Sequence, residues 1–332
     1  MYMNLLTLQA LLACPPFVNL MKKLATFHFE ERGTTSTPVL DSLIEFVNEF
    51  SGFIRAPKGP QRGNKKNQEI ITGSSFEPVR VYKMLEVVKA NSSFKHGKQE
   101  DAEEFLSCIL DGIHEEMSAT INLNSGANNT AMKSNGYLQE DTSSIADEEE
   151  VTDESWEQVG PKKKSVQTRR SEKVLSVKDA LEGLVSKESV GGFTCSQTNE
   201  ELEILRKITL EELPPVLILH LKFFVYDKDG GCQKLMKQID YDIDLEITRD
   251  LLSPNVKTKL NHHQRSYKLF AVVYHHGEKS TGGHYTTAVF HSGIMGWINI
   301  DDSNIKMVPV SNVLRYAPPR IPYLLYYRRL DV

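Results

Sequence analysis

Apolar residues recur at three- and four-residue steps through Ala102, Phe105, Leu106, Ile109, Leu110 and Ile113. That spacing lays one apolar stripe along a helix and puts Asp101 and Glu104 at its amino end. Helical patterning covers the whole block 1–117, broken by a Gly-, Lys- and Pro-rich loop at 55–74. The apolar opening stretch reads as a buried helix that carries Cys14 at its far end and is closed by Pro15-Pro16. The period is then lost. Residues 118–172 pass from Asn, Ser and Gly to the acids Asp147 to Glu150, then to Lys162 to Lys164 and Arg169-Arg170. A stretch of this composition predicts a disordered insertion. From 173 onward the pattern predicts a short helix, Val177 to Leu184, followed mostly by strands. Val216 to Phe224 is a nearly unbroken apolar run and reads as a central buried strand. Tyr323 to Arg328 is another, which would build the last segment into the sheet. Tyr267 to Phe290 is rich in β-branched and aromatic residues on both sides of Gly282-Gly283, as expected of two strands and a tight loop. Helices first and strands last make the fold class α+β.

Composition narrows the picture. At 332 residues the chain is long enough for a large core, and its net charge of −5 gives no support to a nucleic-acid role. The four cysteines, Cys14, Cys108, Cys195 and Cys232, fit a reducing compartment: the cytoplasm, with the basic cluster leaving the nucleus open. Cys108 falls inside the long helix, and Cys195 and Cys232 read as isolated turn residues. Cys195 is followed three residues later by Thr198, so no Cys-x-x-Cys pair forms and no structural zinc is expected. The neighbours His275-His276 read as strand-end residues, since no ligand set completes them. No cofactor is implied. The opening stretch lacks a basic flank, which argues against a signal peptide, and no apolar run approaches the ~18 residues of a membrane span.

The candidate chemistry sits late in the chain. His284 follows two glycines at a strand start, and Asp301-Asp302 lies one strand downstream. A neutral imidazole can take a thiol proton near neutral pH, and a carboxylate can hold its other nitrogen. On the residues alone two readings stand: a base with its orienter, or a structural histidine and an Asp-Asp-Ser-Asn turn.

Four segments together narrow this. Thr7 to Leu12, Gln99 to Phe105, Leu213 to Phe224, and Gly282 to Tyr285 with Asp301-Asp302 resemble, in this order, the catalytic domain of the ubiquitin-specific proteases, the papain-like deubiquitinases. The resemblance spans nearly the whole chain. It implies a helical thumb at 1–117, the insertion at 118–172, and a palm with shortened fingers at 173–332. It implies ubiquitin and ubiquitinated proteins as partners, with no membrane or nucleic acid. By the same resemblance His284 is the base, Asp301 its orienter and Asp302 secondary, while Asp101 and Glu104 grip the basic ubiquitin tail. Three departures stand out. Where the family has Asn-x-Cys, the alignment puts Met1 or Tyr2 on the nucleophile, and the family's oxyanion asparagine has no counterpart. The segment before Val177 is shorter than the family's fingers, which would leave a sheet edge unpaired or remove part of the ubiquitin cradle. Lys222-Phe223-Phe224 replaces Lys-Arg-Phe. The first departure implies either a truncated reading of an active enzyme or a catalytically dead, ubiquitin-binding pseudoenzyme.

Overall fold

A computed structural model describes residues 4–26, 36–50, 77–88, 101–124, 176–185, 188–194, 201–226, 232–277 and 283–332. The predicted 55–74 loop, the basic cluster, Cys195, Gly282, Met1 and Tyr2 lie outside these residues, as does most of the insertion.

The first block is helical: α1 (Asn4–Leu12), α2 (Pro15–Ala25), α3 (Pro38–Glu49), α4 (Val79–Val88) and α5 (Ala102–Asn124). Pro15-Pro16 do close α1, and they also open α2, where a missing N–H costs nothing. Cys14 is therefore the N-cap residue of α2, two residues past the end of α1, a position that apolar patterning did not reveal. The predicted stripe of α5 is buried at Ala102, Phe105, Leu106 and Ile109. The helix runs on to Asn124, past the expected boundary at 117. Beyond that boundary Ala119, Thr120 and Ile121 are exposed, Ile121 at 59%. Loss of the apolar period thus marks the end of packing, while backbone hydrogen bonding carries the helix further.

The helix α6 (Val177–Leu184) lies where the sequence placed it, started by a Ser176/Asp179 capping box. Strands follow: β1 (Glu188–Thr194), β2 (Glu201–Arg206), β3 (Val216–His220), β4 (Phe224–Tyr226), β5 (Cys232–Lys234), β6 (Asp244–Glu246), β7 (Ser266–His276), β8 (His284–His291), β9 (Gly296–Asp301), β10 (Asn304–Val308) and β11 (Arg320–Arg329). The main sheet is antiparallel in the order β10-β9-β8-β7-β11-β3, with β6 also paired to β7. β1 with β2, and β4 with β5, form separate two-stranded sheets. Cys232 is thus the first residue of a strand, rather than an isolated turn residue.

Successive strand residues point to opposite faces, and here both faces are covered. Ala271, Val273, Leu324 and Tyr326 join Leu8, Leu43, Phe105 and Ile109 in one core beneath the helical block. Val272, Tyr274, Leu325 and Tyr327 join Val177, Ile247 and Leu251 in a second core on the other side. This explains the unbroken apolar runs of β7 and β11. It also corrects the reading of β3, which is an edge strand and only half-buried. Val216 and Ile218 pack on the first core, and Leu217 and Leu219 on the second. A strand covered on both faces is apolar throughout, whether or not it has neighbours on both edges.

Candidate active site

The loop between β7 and β8 brings His284 to the first position of β8, paired with His276. Two glycines frame its ends, Gly277 at φ +119 and Gly283 at φ +127. Both angles lie where a side chain is strained. A Cβ on Gly283 would also strike the His276 carbonyl and come within 2.7 Å of His275 Nε2. Glycine is therefore required by conformation and by close approach.

On the neighbouring strand, Asp301 ends β9 and pairs with Asn304 of β10, leaving Asp302-Ser303 as a two-residue turn. Asp302 takes φ +51, a conformation that aspartate tolerates better than most residues. The turn reading is therefore realised, and Asp302 makes the turn that places Asp301 beside His284. His284 Nε2 lies 2.6 Å from Asp301 Oδ1, and the two side chains are 46% and 42% exposed. With Nε2–H donating to the carboxylate, Nδ1 keeps its lone pair and points away as an acceptor. His284, Asp301 and Asp302 also each place a ligand atom within 4.8 Å of the others, the one such grouping among the described residues. His284 Nε2 is already committed to Asp301, so a hydrogen-bonded pair beside a turn acid accounts for that spacing.

His276 donates to or accepts from Thr286 Oγ1 at 2.8 Å, and burial, then the neighbouring His284, push its pKa down to about 4. Behind Asp301 a cavity of about 320 Å³ opens between the sheet and the short helix Val310–Leu314, lined among others by His276, Asn299, Lys306 and Arg320.

Asp101 lies at the head of α5, as predicted, and both of its oxygens are engaged. Oδ1 accepts from the backbone N–H of Glu103 at 2.8 Å and of Glu104 at 3.2 Å, which caps the helix. Oδ2 accepts from Tyr323 at 2.6 Å and Tyr285 at 3.3 Å. Asp101 therefore pins α5 to β8 and β11, next to His284. Tyr323 and Tyr285 were not foreseen as partners, because nothing in a linear sequence links positions so far apart. Glu104 is exposed one turn on, and Phe223, where the resemblance expects arginine, is buried.

The first turn of α1 lies against β8, with Thr287 donating to the Leu6 carbonyl at 3.2 Å. Cys14, at the other end of α1, is 2% exposed. Burial raises its thiol pKa, outweighing the lowering by the Phe17 N–H at the head of α2. Cys108 is half-buried in α5 and packs on the first core.

A family model described as ubiquitin carboxyl-terminal hydrolase matches residues 1–327. The chain belongs to that family. Among curated proteins, ubiquitin carboxyl-terminal hydrolase 10 of Xenopus tropicalis is 45% identical over 371 residues, covering 98% of this chain and 46% of the relative. The Gallus gallus protein of the same name is 44% identical over 375 residues, covering 98% of this chain and 47% of the relative. The chain thus spans about half the length of the curated relatives it matches. Among solved structures, the SAGA Ubp8/Sgf11/Sus1/Sgf73 DUB module bound to ubiquitin aldehyde aligns with a TM-score of 0.63 at 18% identity. It covers 97% of this chain and 66% of that one, and at this identity it shows the fold alone. The fold is that of the papain-like deubiquitinases, as the resemblance implied. No helix among the described residues is long and apolar enough to cross a membrane.

Proposed function

We propose that this chain is the core of a thiol-dependent deubiquitinase that acts on ubiquitin-conjugated proteins. The observation that carries this reading is the 2.6 Å His284–Asp301 hydrogen bond at the mouth of the β7–β8 loop, in a chain of this family. In the reaction, His284 Nδ1 takes the proton of an attacking thiol. The thiolate adds to the carbonyl carbon of ubiquitin's terminal glycine, whose bond to the conjugated amine then breaks. His284 then returns the proton to the leaving amine, and water hydrolyses the thioester. Asp301 holds the imidazole in the reactive tautomer and stabilises its cation, and Asp302 shapes the turn behind it.

The ubiquitin tail is basic, and the head of α5 is acidic. Asp101 and Glu104 together meet the tail arginines, and Asp101 also holds the helix head through two tyrosines and two backbone N–H groups. The resemblance puts the attacking thiol at the head of α1. Cys14 does not replace it, because burial keeps that thiol protonated. The cysteine usage supports a reducing compartment, the cytoplasm or nucleus.

The test joins the chain to a leader carrying the family's Asn-x-Cys and follows hydrolysis of a ubiquitin–fluorophore substrate. Turnover is expected with cysteine in the leader, none with serine, and a fall of about a hundred- to ten-thousand-fold for His284→Ala. Ubiquitin binding without turnover in the cysteine form would overturn the enzymatic reading and leave a ubiquitin-binding protein.

A further inference from the structure

The buried His275 and the lysine against it have no part in the scheme above. Lys234 ends the β4–β5 hairpin, outside the main sheet. Its Nζ lies 2.6 Å from His275 Nδ1 and donates to the carbonyls of Gly277 at 2.7 Å and His275 at 3.3 Å. An ammonium has three protons and no acceptor, and here three acceptors meet it. Nδ1 of His275 must therefore accept, which puts the His275 proton on Nε2. That nitrogen faces Gly283, so closely that a Cβ there would lie 2.7 Å away. The His275 ring is 1% exposed and boxed by Phe224, Tyr285 and Tyr323, with centroids at 5.5, 4.7 and 6.3 Å. The two ends of the loop also touch, since a Cβ on Gly277 would sit 3.2 Å from Gly283 Cα.

We infer that Lys234 is a positioning residue for His284: it clamps the neck of the β7–β8 loop through two carbonyls and, by fixing the His275 tautomer, sets the seat on which Gly283 and His284 rest. The geometry runs from Lys234 to His275, from His275 to Gly283, and from Gly283 to the next residue, His284. Burial lowers the Lys234 pKa to about 8, the desolvation cost of an ammonium in this position. An exposed imidazole that must meet both a thiol and Asp301 needs its backbone fixed, and its own side-chain contacts supply little of that.

The consequence for catalysis rests on the deubiquitinase reading, but the test does not need activity. The chain is labelled with ¹⁵N-histidine, and imidazole tautomers are read by NMR through the carbon-bound ring protons. The unmodified chain is expected to show His275 with Nε2 protonated and Nδ1 bare. In Lys234→Met, the His275 Nδ1 signal should move toward that of a free imidazole. The His284 Nε2 proton, slowed by its bond to Asp301, should exchange with water about tenfold faster. Lys234→Arg, which keeps donors at the site, should restore much of both signals. His275 protonated on Nδ1 in the unmodified chain overturns the proposal without any variant. So does a His284 proton that exchanges at the same rate in Lys234→Met. Either result would leave the leader-fusion assay, and with it the deubiquitinase reading, untouched.

Discussion

At the scale of single residues, position along a helix and burial compete, and burial wins at Cys14. Cys14 occupies the N-cap position of α2, where a helix head favours the thiolate, yet it is 2% exposed and burial raises its pKa. In the sequence alone Cys14 stands at the carboxyl end of α1, which is only half of the geometry. Iodoacetamide should therefore label Cys14 at least about a hundredfold more slowly in the native chain than in urea, because reaction has to wait for local opening. Mass spectrometry of the tryptic peptide reads this directly, and rapid native labelling of Cys14 would show that the thiol is accessible after all. His284 is the contrasting case. It is exposed and lies against a carboxylate, and the local patterns, Gly-Gly before a strand and Asp-Asp after one, marked both residues as candidates without choosing between the two readings.

At the scale of elements, the helices are tied together by carboxylates that no local pattern marks. Glu116 of α5 accepts the backbone N–H groups of Val39 and Leu40, each at 2.8 Å. These lie in the first turn of α3, where Thr37 makes no side-chain cap. One helix thus caps another across a gap of more than seventy residues. Burial raises the Glu116 pKa, and the two backbone bonds pull it back. Glu116→Ala should lower stability by about 1–2 kcal/mol, the usual worth of a cap with a charged acceptor. The urea midpoint gives the measurement, and a change under a few tenths of a kcal/mol would mean that water replaces the carboxylate without loss. Asp101 works in the same way between α5 and the sheet. Its helix-start role was legible, whereas the tyrosine bonds that fix its direction come from β8 and β11.

At the scale of the whole molecule, three histidines are held neutral by partial burial in different regions. Burial lowers the pKa values of His220, His276 and His291 from 6.5, to about 4 for His276. The folded value lies below the unfolded one in each case. Below pH 6.5 the unfolded chain therefore binds more protons, and stability drops as pH falls through the window down to about 4. Above that window these groups contribute no slope. Urea midpoints measured from about pH 7.5 down to pH 5 should fall steadily, and His276→Gln should flatten the decline by up to about one proton. A flat profile across the window would mean that these histidines titrate in the fold as they do in water.

What the sequence determined was whatever repeats over a few residues. The stripe of α5, the helix Val177–Leu184, the apolar runs of β7 and β11, and the glycine-histidine and aspartate pairs of the site are all local patterns. Periodicity and turn chemistry act within one or two turns of chain, so these elements could be read off directly. Tertiary structure decided what depends on meeting at a distance. It placed β3 at an edge although its run is apolar, since two cores cover its faces. It carried α5 seven residues past the expected boundary at 117, and it buried the Cys14 thiol. It brought Asp101 to Tyr323, Glu116 to α3, and Lys234 to His275. Those contacts are set by how helices and sheet stack, and a hydrogen bond between residues tens to hundreds of positions apart leaves no period in the chain.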